Sequence, residues 1–126
     1  MRLSLTNIGQ ISMNAHDLDR AVTFYKETLG MPHLFTVPPK MAFFDCSGVR
    51  LMLSLPETPE YDHAGSILYY RVEDIQAAHR ELASRGVRFE GPPTLIAKMP
   101  SYDLWMAFFR DSEGNLLALM SEAARG

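Results

Sequence analysis

The chain is poor in cysteine, in basic clusters and in long apolar runs, and each shortage removes a class of function. Cys46 is the only cysteine, so no internal disulfide framework can staple the fold, and a reduced, cytoplasmic setting is expected. Its place near a strand end reads as that of a small buried hydrophobe rather than a reactive thiol. Lys and Arg number 12 against 15 Asp and Glu, for a net charge of -3. The basic residues are scattered, and the phosphate-neutralising surface of a nucleic-acid binder is missing. No apolar stretch is long enough to span a bilayer, and the opening Met-Arg-Leu-Ser-Leu-Thr-Asn lacks the apolar centre of a signal peptide. Neither nucleic acid nor membrane is therefore expected as a partner. There is no Ser-His-Asp order with supporting motifs and no Gly-rich phosphate loop, so no catalytic residue is assigned.

What the sequence has is a repeat. With 126 residues, 47% of them hydrophobic, it holds enough for one domain with a real core. Ile11, Met13 and Ala15 alternate with Gln10, Ser12 and Asn14, the period of a half-buried strand. The period then changes, because Leu18, Ala21, Val22, Tyr25 and Leu29 fall on one face of a helix. Asp17 stands at its N-cap and Gly30 at its left-handed stop. His33 to Val37 can form a short strand before Pro38-Pro39. Met41 to Phe44 and Val49 to Leu53 flank a Gly-containing turn, which signals a hairpin. Residues 56–65 carry two prolines and three acidic side chains without apolar period, and read as a linker.

The second half repeats the first. Ile67 to Val72 is strand-like, Asp74 is a second N-cap, Ile75, Ala78 and Leu82 mark a helical face, and Gly86 stops it. Val87 to Phe89 can be a strand ended by Gly91-Pro92-Pro93. Met106-Ala107-Phe108-Phe109 then duplicates Met41-Ala42-Phe43-Phe44, and Leu117-Ala118-Leu119 matches Leu51-Met52-Leu53. The unit is βαβββ and it occurs twice, over about 1–60 and 66–126, each copy needing neighbours to bury its face. The predicted fold class is α+β, two such modules in one domain. Ile11, Met13, Tyr25, Leu29, Leu51, Leu53, Leu68, Tyr70, Leu82, Leu117 and Leu119 are expected to form its cores.

A duplicated βαβββ unit with Asp-Leu-Asp-Arg-Ala-Val-Thr-Phe-Tyr-Lys-Glu-Thr-Leu-Gly in its first half resembles the vicinal oxygen chelate superfamily, the group of glyoxalases, bleomycin-resistance proteins and extradiol dioxygenases. Val72-Glu73-Asp74-Ile75 and Asp111-Ser112-Glu113-Gly114-Asn115 are similar to that family's punctuation. The resemblance implies mixed sheets curving around a cup. In metal-using members it implies four ligands, usually His or Glu, from the first and last strand of each module. The matching positions here are Gln10, Ile67, Met52 and Ala118, of which only Gln10 offers a donor suited to a hard divalent ion. No metal site and no cofactor are therefore expected.

Strand parity extends the wall of the cup. If Gln10 faces inward, so does Ser12, and repeat symmetry adds Arg50, Met52, Ile67, Tyr69, Arg71 and Ala118. Trp105, in the approach to a strand of the second module, is a candidate for stacking on a planar ligand. An amide, a phenol, two guanidiniums and several apolar side chains are the usual make-up of a small-molecule site. His79 is expected to be a boundary residue and His16 a solvent-exposed one, and Glu57, Glu60, Asp62 and His63 to be a solvated loop. Two functions compete. One is metal-independent binding or sequestering of a small organic molecule. The alternative is a metal-dependent lyase, epimerase or dioxygenase, in which Gln10 and further residues hold a divalent ion. A homodimer is expected because short modules leave sheet edges that need cover.

Overall fold

Asp17 and Asp74 each begin a helix, as their positions predict. In the computed structural model, which describes residues 3–125, the Asp17 carboxylate accepts from the amide of Arg20 at 3.2 Å and that of Asp74 from the amide of Ala77 at 3.0 Å. Each satisfies an amide that a helix start leaves without a partner. The helices are α1, Leu18–Thr23, and α2, Ile75–Ser84. Gly30 and Gly86 follow them at φ 73° and 88°, a left-handed conformation in which a Cβ would be strained.

The chain divides into two compact units, Met1–Gly65 and Ser66–Gly126. The first unit runs β1 (Gln10–Asn14), α1, β2 (His33–Val37), β3 (Met41–Cys46) and β4 (Val49–Ser54). Its four strands lie in the order β1-β4-β3-β2, with β1 parallel to β4 and the other pairs antiparallel. The second runs β5 (Leu68–Arg71), α2, β6 (Thr94–Lys98), β7 (Tyr102–Arg110) and β8 (Leu116–Ala124). Its order is β5-β8-β7-β6, with the same senses. This is the duplicated βαβββ, α+β architecture that the repeat implies.

The duplicated tetrapeptide falls in equivalent register. Ala42 and Phe44 pair with Leu53 and Leu51, while Ala107 and Phe109 pair with Leu119 and Leu117. All eight are buried, with Phe44 and Phe109 wholly so. They form the helix-side core of each sheet, since α1 contacts β3 and β4 and α2 contacts β7 and β8. Tyr25, also wholly buried, brings its hydroxyl to the Met13 sulfur at 3.7 Å and its ring to within 6.0 Å of Phe44. The predicted core residues Ile11, Leu29, Leu68, Tyr70 and Leu82 are half-buried at the margins. The β3–β4 hairpin turns through Ser47 and Gly48, both at positive φ, and the Asp45 carboxylate accepts from the Gly48 amide at 3.0 Å, as the tight turn of a two-residue hairpin needs.

Two local expectations are corrected. The strand expected over 87–89 is absent, and Phe89 makes only an isolated bridge to Phe109. The strand of that module is β6, beyond Pro92-Pro93. Prolines have no amide to give a ladder, and a register shift between Leu95 and Ala97 breaks the alternation that would have advertised it. The first helix also does not stay α through its last turn. Phe24–Thr28 is π-helical, with the Leu29 amide donating to Phe24 O at 2.9 Å. No helix among the described residues is long and apolar enough to cross a membrane.

Phe44 and Phe109 occupy the same place in two copies of one unit, so each Phe→Ala change is expected to remove about 3–5 kcal/mol of stability. Asp74→Ala should cost about 1 kcal/mol, and urea denaturation checks all three.

Candidate functional site

A strand buries one face beneath its helix and turns the alternate residues to the other. On the first sheet the buried set is Met13, Leu51, Leu53, Ala42 and Phe44. The opposite set is built in cross-strand rows. One row runs Ser12, Met52, Phe43, Phe35, and the next runs Gln10, Arg50, Asp45. The candidates Gln10, Ser12, Arg50 and Met52 therefore share one face. The Gln10 amide Nε2 points at the Met52 sulfur at 3.9 Å. Phe35 and Phe43 stack with centroids 4.6 Å apart, and the Arg50 guanidinium carbon lies 5.9 Å from the Phe43 centroid. Phe35 remains 48% exposed, whereas Phe43 is buried beneath its neighbours.

On the second sheet the corresponding row is Tyr69, Ala118, Phe108. The two rings meet edge to face at 5.9 Å. Ala118 lies between them in register and has no exposed surface. Arg71 is on the same face and pairs with Glu122 at 3.4 Å. Ile67 precedes β5 and is 39% exposed. Trp105 pairs with Ser121 and alternates with Ala107 and Phe109, so it lies on the helix side, on the opposite face from Tyr69, Arg71 and Ala118. Counting back by two from Phe109 gives this parity from sequence alone.

Phe35, Phe43 and Phe108 belong to these faces but escape a reading based on the first and last strands, and Glu122 lies beyond the stretch of the last strand that such a reading takes. The hairpin register, once drawn, puts Phe43 across from Met52 and Phe108 across from Ala118.

The linker contributes to the end of β1 rather than to either face. Its one helical turn, Pro59–Tyr61, is held by the Asn14 amide, which donates to Tyr61 O at 2.6 Å and His63 O at 3.3 Å. His16 Nε2 meets Asp62 Oδ1 at 2.9 Å in the open. Among the described residues no three His, Cys, Asp or Glu side chains come together to hold a metal ion. Near the start of α1, a recess of about 410 Å³ is bounded by His16, Asp17, Leu18, Asp19, Thr36, Pro38, Pro39 and Leu55. None of the nine candidate residues lines it. Burial, then the neighbouring Asp45 carboxylate, pushes the Cys46 thiol above its ordinary value, away from the thiolate that reacts.

Comparison with known proteins places these observations. Residues 7–119 match the model of the Glyoxalase/Bleomycin resistance protein/Dioxygenase superfamily, and the chain belongs to that family. It is 25% identical to the uncharacterized protein YraH of Bacillus subtilis (strain 168), over 87% of this chain and 94% of that one. Among solved structures it resembles a lactoylglutathione lyase from Agrobacterium tumefaciens, with a TM-score of 0.78 at 19% identity, over 94% and 95% of the two chains. It also resembles a superfamily member from Sphaerobacter thermophilus DSM 20745, with a TM-score of 0.77 at 24% identity, over 95% and 100%. At such identities the likeness to solved structures is one of fold.

Because Ala118 has no free space above it, Ala118→Leu is expected to lose about 1–3 kcal/mol of stability by overpacking, against less than about 1.5 kcal/mol for Met52→Leu. Paired urea melts of the two variants test the difference.

Proposed function

We propose that this protein binds a small organic molecule on the bare faces of its sheets without a metal ion, sequestering or sensing it in a reducing cytoplasm. The observation that carries the reading is the set of side chains at the four positions where metal-using members of the family place ligands. A divalent ion needs nitrogen or oxygen donors converging on one point. Ile67 and Ala118 supply none, the Met52 thioether is soft, and the Gln10 amide is turned to that sulfur. Ala118 moreover has no exposed surface. An ion set against such neighbours keeps an uncompensated charge, which is far costlier than an unpaired dipole. The residues present do not fit the metal that the fold accommodates elsewhere, so no chemical step is derived through one. The same faces offer aromatic rings, thioethers, an amide and guanidiniums, the mixture that holds and orients an organic ligand.

Calorimetric titration with Zn, Mn, Ni and Co is expected to show no micromolar one-to-one binding, in the wild type or in Gln10→Ala. Protein purified without chelator is expected to carry organic mass, not stoichiometric metal, in native mass spectrometry and elemental analysis. Tight metal binding that vanishes in Gln10→Ala would transfer the protein to the lyase, epimerase or dioxygenase class.

A homodimer is proposed as well. Strand β6 is a sheet edge carrying Leu95 and Ile96, 37% and 50% exposed. Open apolar edges invite pairing, and closed two-fold dimers are the commonest assembly. Light scattering at micromolar concentration should return twice the 14.2 kDa chain mass, and Ile96→Lys should shift it toward monomer. A monomeric wild type rejects the dimer.

A further inference from the structure

We propose that the ligand of the first unit's open face is a flat aromatic acid whose carboxylate is anchored by Arg50. This rests on the reading of that face as a binding surface and adds the charge and shape of what it takes. The duplicated unit supplies an internal comparison. In the second copy Tyr69 and Phe108 meet edge to face on either side of a fully buried Ala118. Its arginine is already answered, with Arg71 3.4 Å from the Glu122 carboxylate. In the first copy the phenol is replaced by Ser12, which is exposed, and Met52 is only half-buried. The first row therefore carries a small hydroxyl side chain where its counterpart carries a ring.

The arginine differs too. No carboxylate among the described residues forms a salt bridge with Arg50. Asp45 sits across from it in register, but its Oδ1 takes the Gly48 amide instead. The Arg50 guanidinium lies over the buried Phe43 ring, 5.9 Å from its centroid, and Phe43 stacks on Phe35, which is 48% exposed. A guanidinium over an aromatic pair, with no carboxylate partner among the described residues, has two complementary needs. The fork of N–H donors matches a carboxylate in two-point geometry, and the open side of Phe35 takes a second ring in offset stacking. A neutral aromatic satisfies only the platform, an aliphatic acid only the fork. A cation is repelled by Arg50.

The test is an NMR titration with 2-naphthoate and 2-naphthamide, which share size and shape and differ in charge. Both are expected to shift the Met52 methyl and the Phe35 and Phe43 ring signals. Naphthoate should bind about tenfold tighter, the order expected of a hydrogen bond to a charged group. Arg50→Gln should bring naphthoate down to the affinity of the amide and leave the amide unchanged, and Arg50→Lys should recover part of the loss. Arg85→Gln, which removes the same charge just beyond the end of α2, should alter neither. Arg50 is exposed, so its variants are expected to melt with the wild type. Equal binding of the two probes at these residues, or a preference that survives Arg50→Gln, overturns the aromatic acid and leaves the face as a binding surface. A naphthoate preference at other residues also overturns it. If neither probe moves these signals at millimolar concentration, both the acid and the binding face are rejected.

Discussion

The parallel pairing of the first strand of each unit with its last is the contact on which the other features depend. Gln10–Asn14 lies against Arg50–Ser54, and Leu68–Arg71 against Leu117–Met120. Parallel neighbours cannot be joined by a tight turn, so the chain must leave the sheet and return. In each unit it leaves as a helix that contacts the last two strands, and that helix covers one face only. The rows containing Met52 and Ala118 form the other face, the side the helix does not cover. The candidate site is thus a product of connectivity before it is a product of side chains.

The side chains then make the two copies different. Tyr69 and Phe108 meet edge to face in the row of Ala118, whereas Ser12 puts a small side chain in the row of Met52. Arg71 has Glu122, and Arg50 has no carboxylate partner among the described residues. The backbone is repeated while the surface chemistry is not, which separates what the family fold supplies from what this sequence adds. The residues at the usual ligand positions belong to the second category.

Much of the fold was legible because several signals agreed. The caps at Asp17 and Asp74, the stops at Gly30 and Gly86 and the twice-written Met-Ala-Phe-Phe all pointed to one module. The duplicated tetrapeptide was the strongest, since its Ala and second Phe alternate into both cores. The failures have physical causes. Val87-Arg88-Phe89 alternates like a strand, yet the partners of a strand are set by tertiary register, and only Phe89 finds one. Thr94–Lys98 carries a register shift that hides its period. The π turn at Phe24–Thr28 leaves no compositional mark. For the site, parity from Gln10 correctly grouped Ser12, Arg50 and Met52 on one face. It was not applied to Trp105, whose place beside Ala107 and Phe109 needed only the same count. The pairing of Arg71 with Glu122 and the placing of Arg50 over Phe43 depend on long side chains at a sheet surface, and sequence spacing does not fix those.

The closure of each sheet by its own first and last strands bears on how the protein is made. Every ladder in the first unit is complete within Met1–Gly65, and every ladder in the second within Ser66–Gly126. During synthesis the first sheet can close once its β4 has emerged, before any strand of the second exists, in keeping with the tendency of such units to fold in order of appearance. The hairpin β3–β4, with its two-residue turn, closes the shortest loop of the unit. The parallel pair must wait for its ends to meet, because closing the longer loop carries the larger entropy cost. Until then β1 and β4 each present an unpaired edge, so a ribosome-bound chain is most exposed to misassembly between the hairpin and the arrival of β1 at its side.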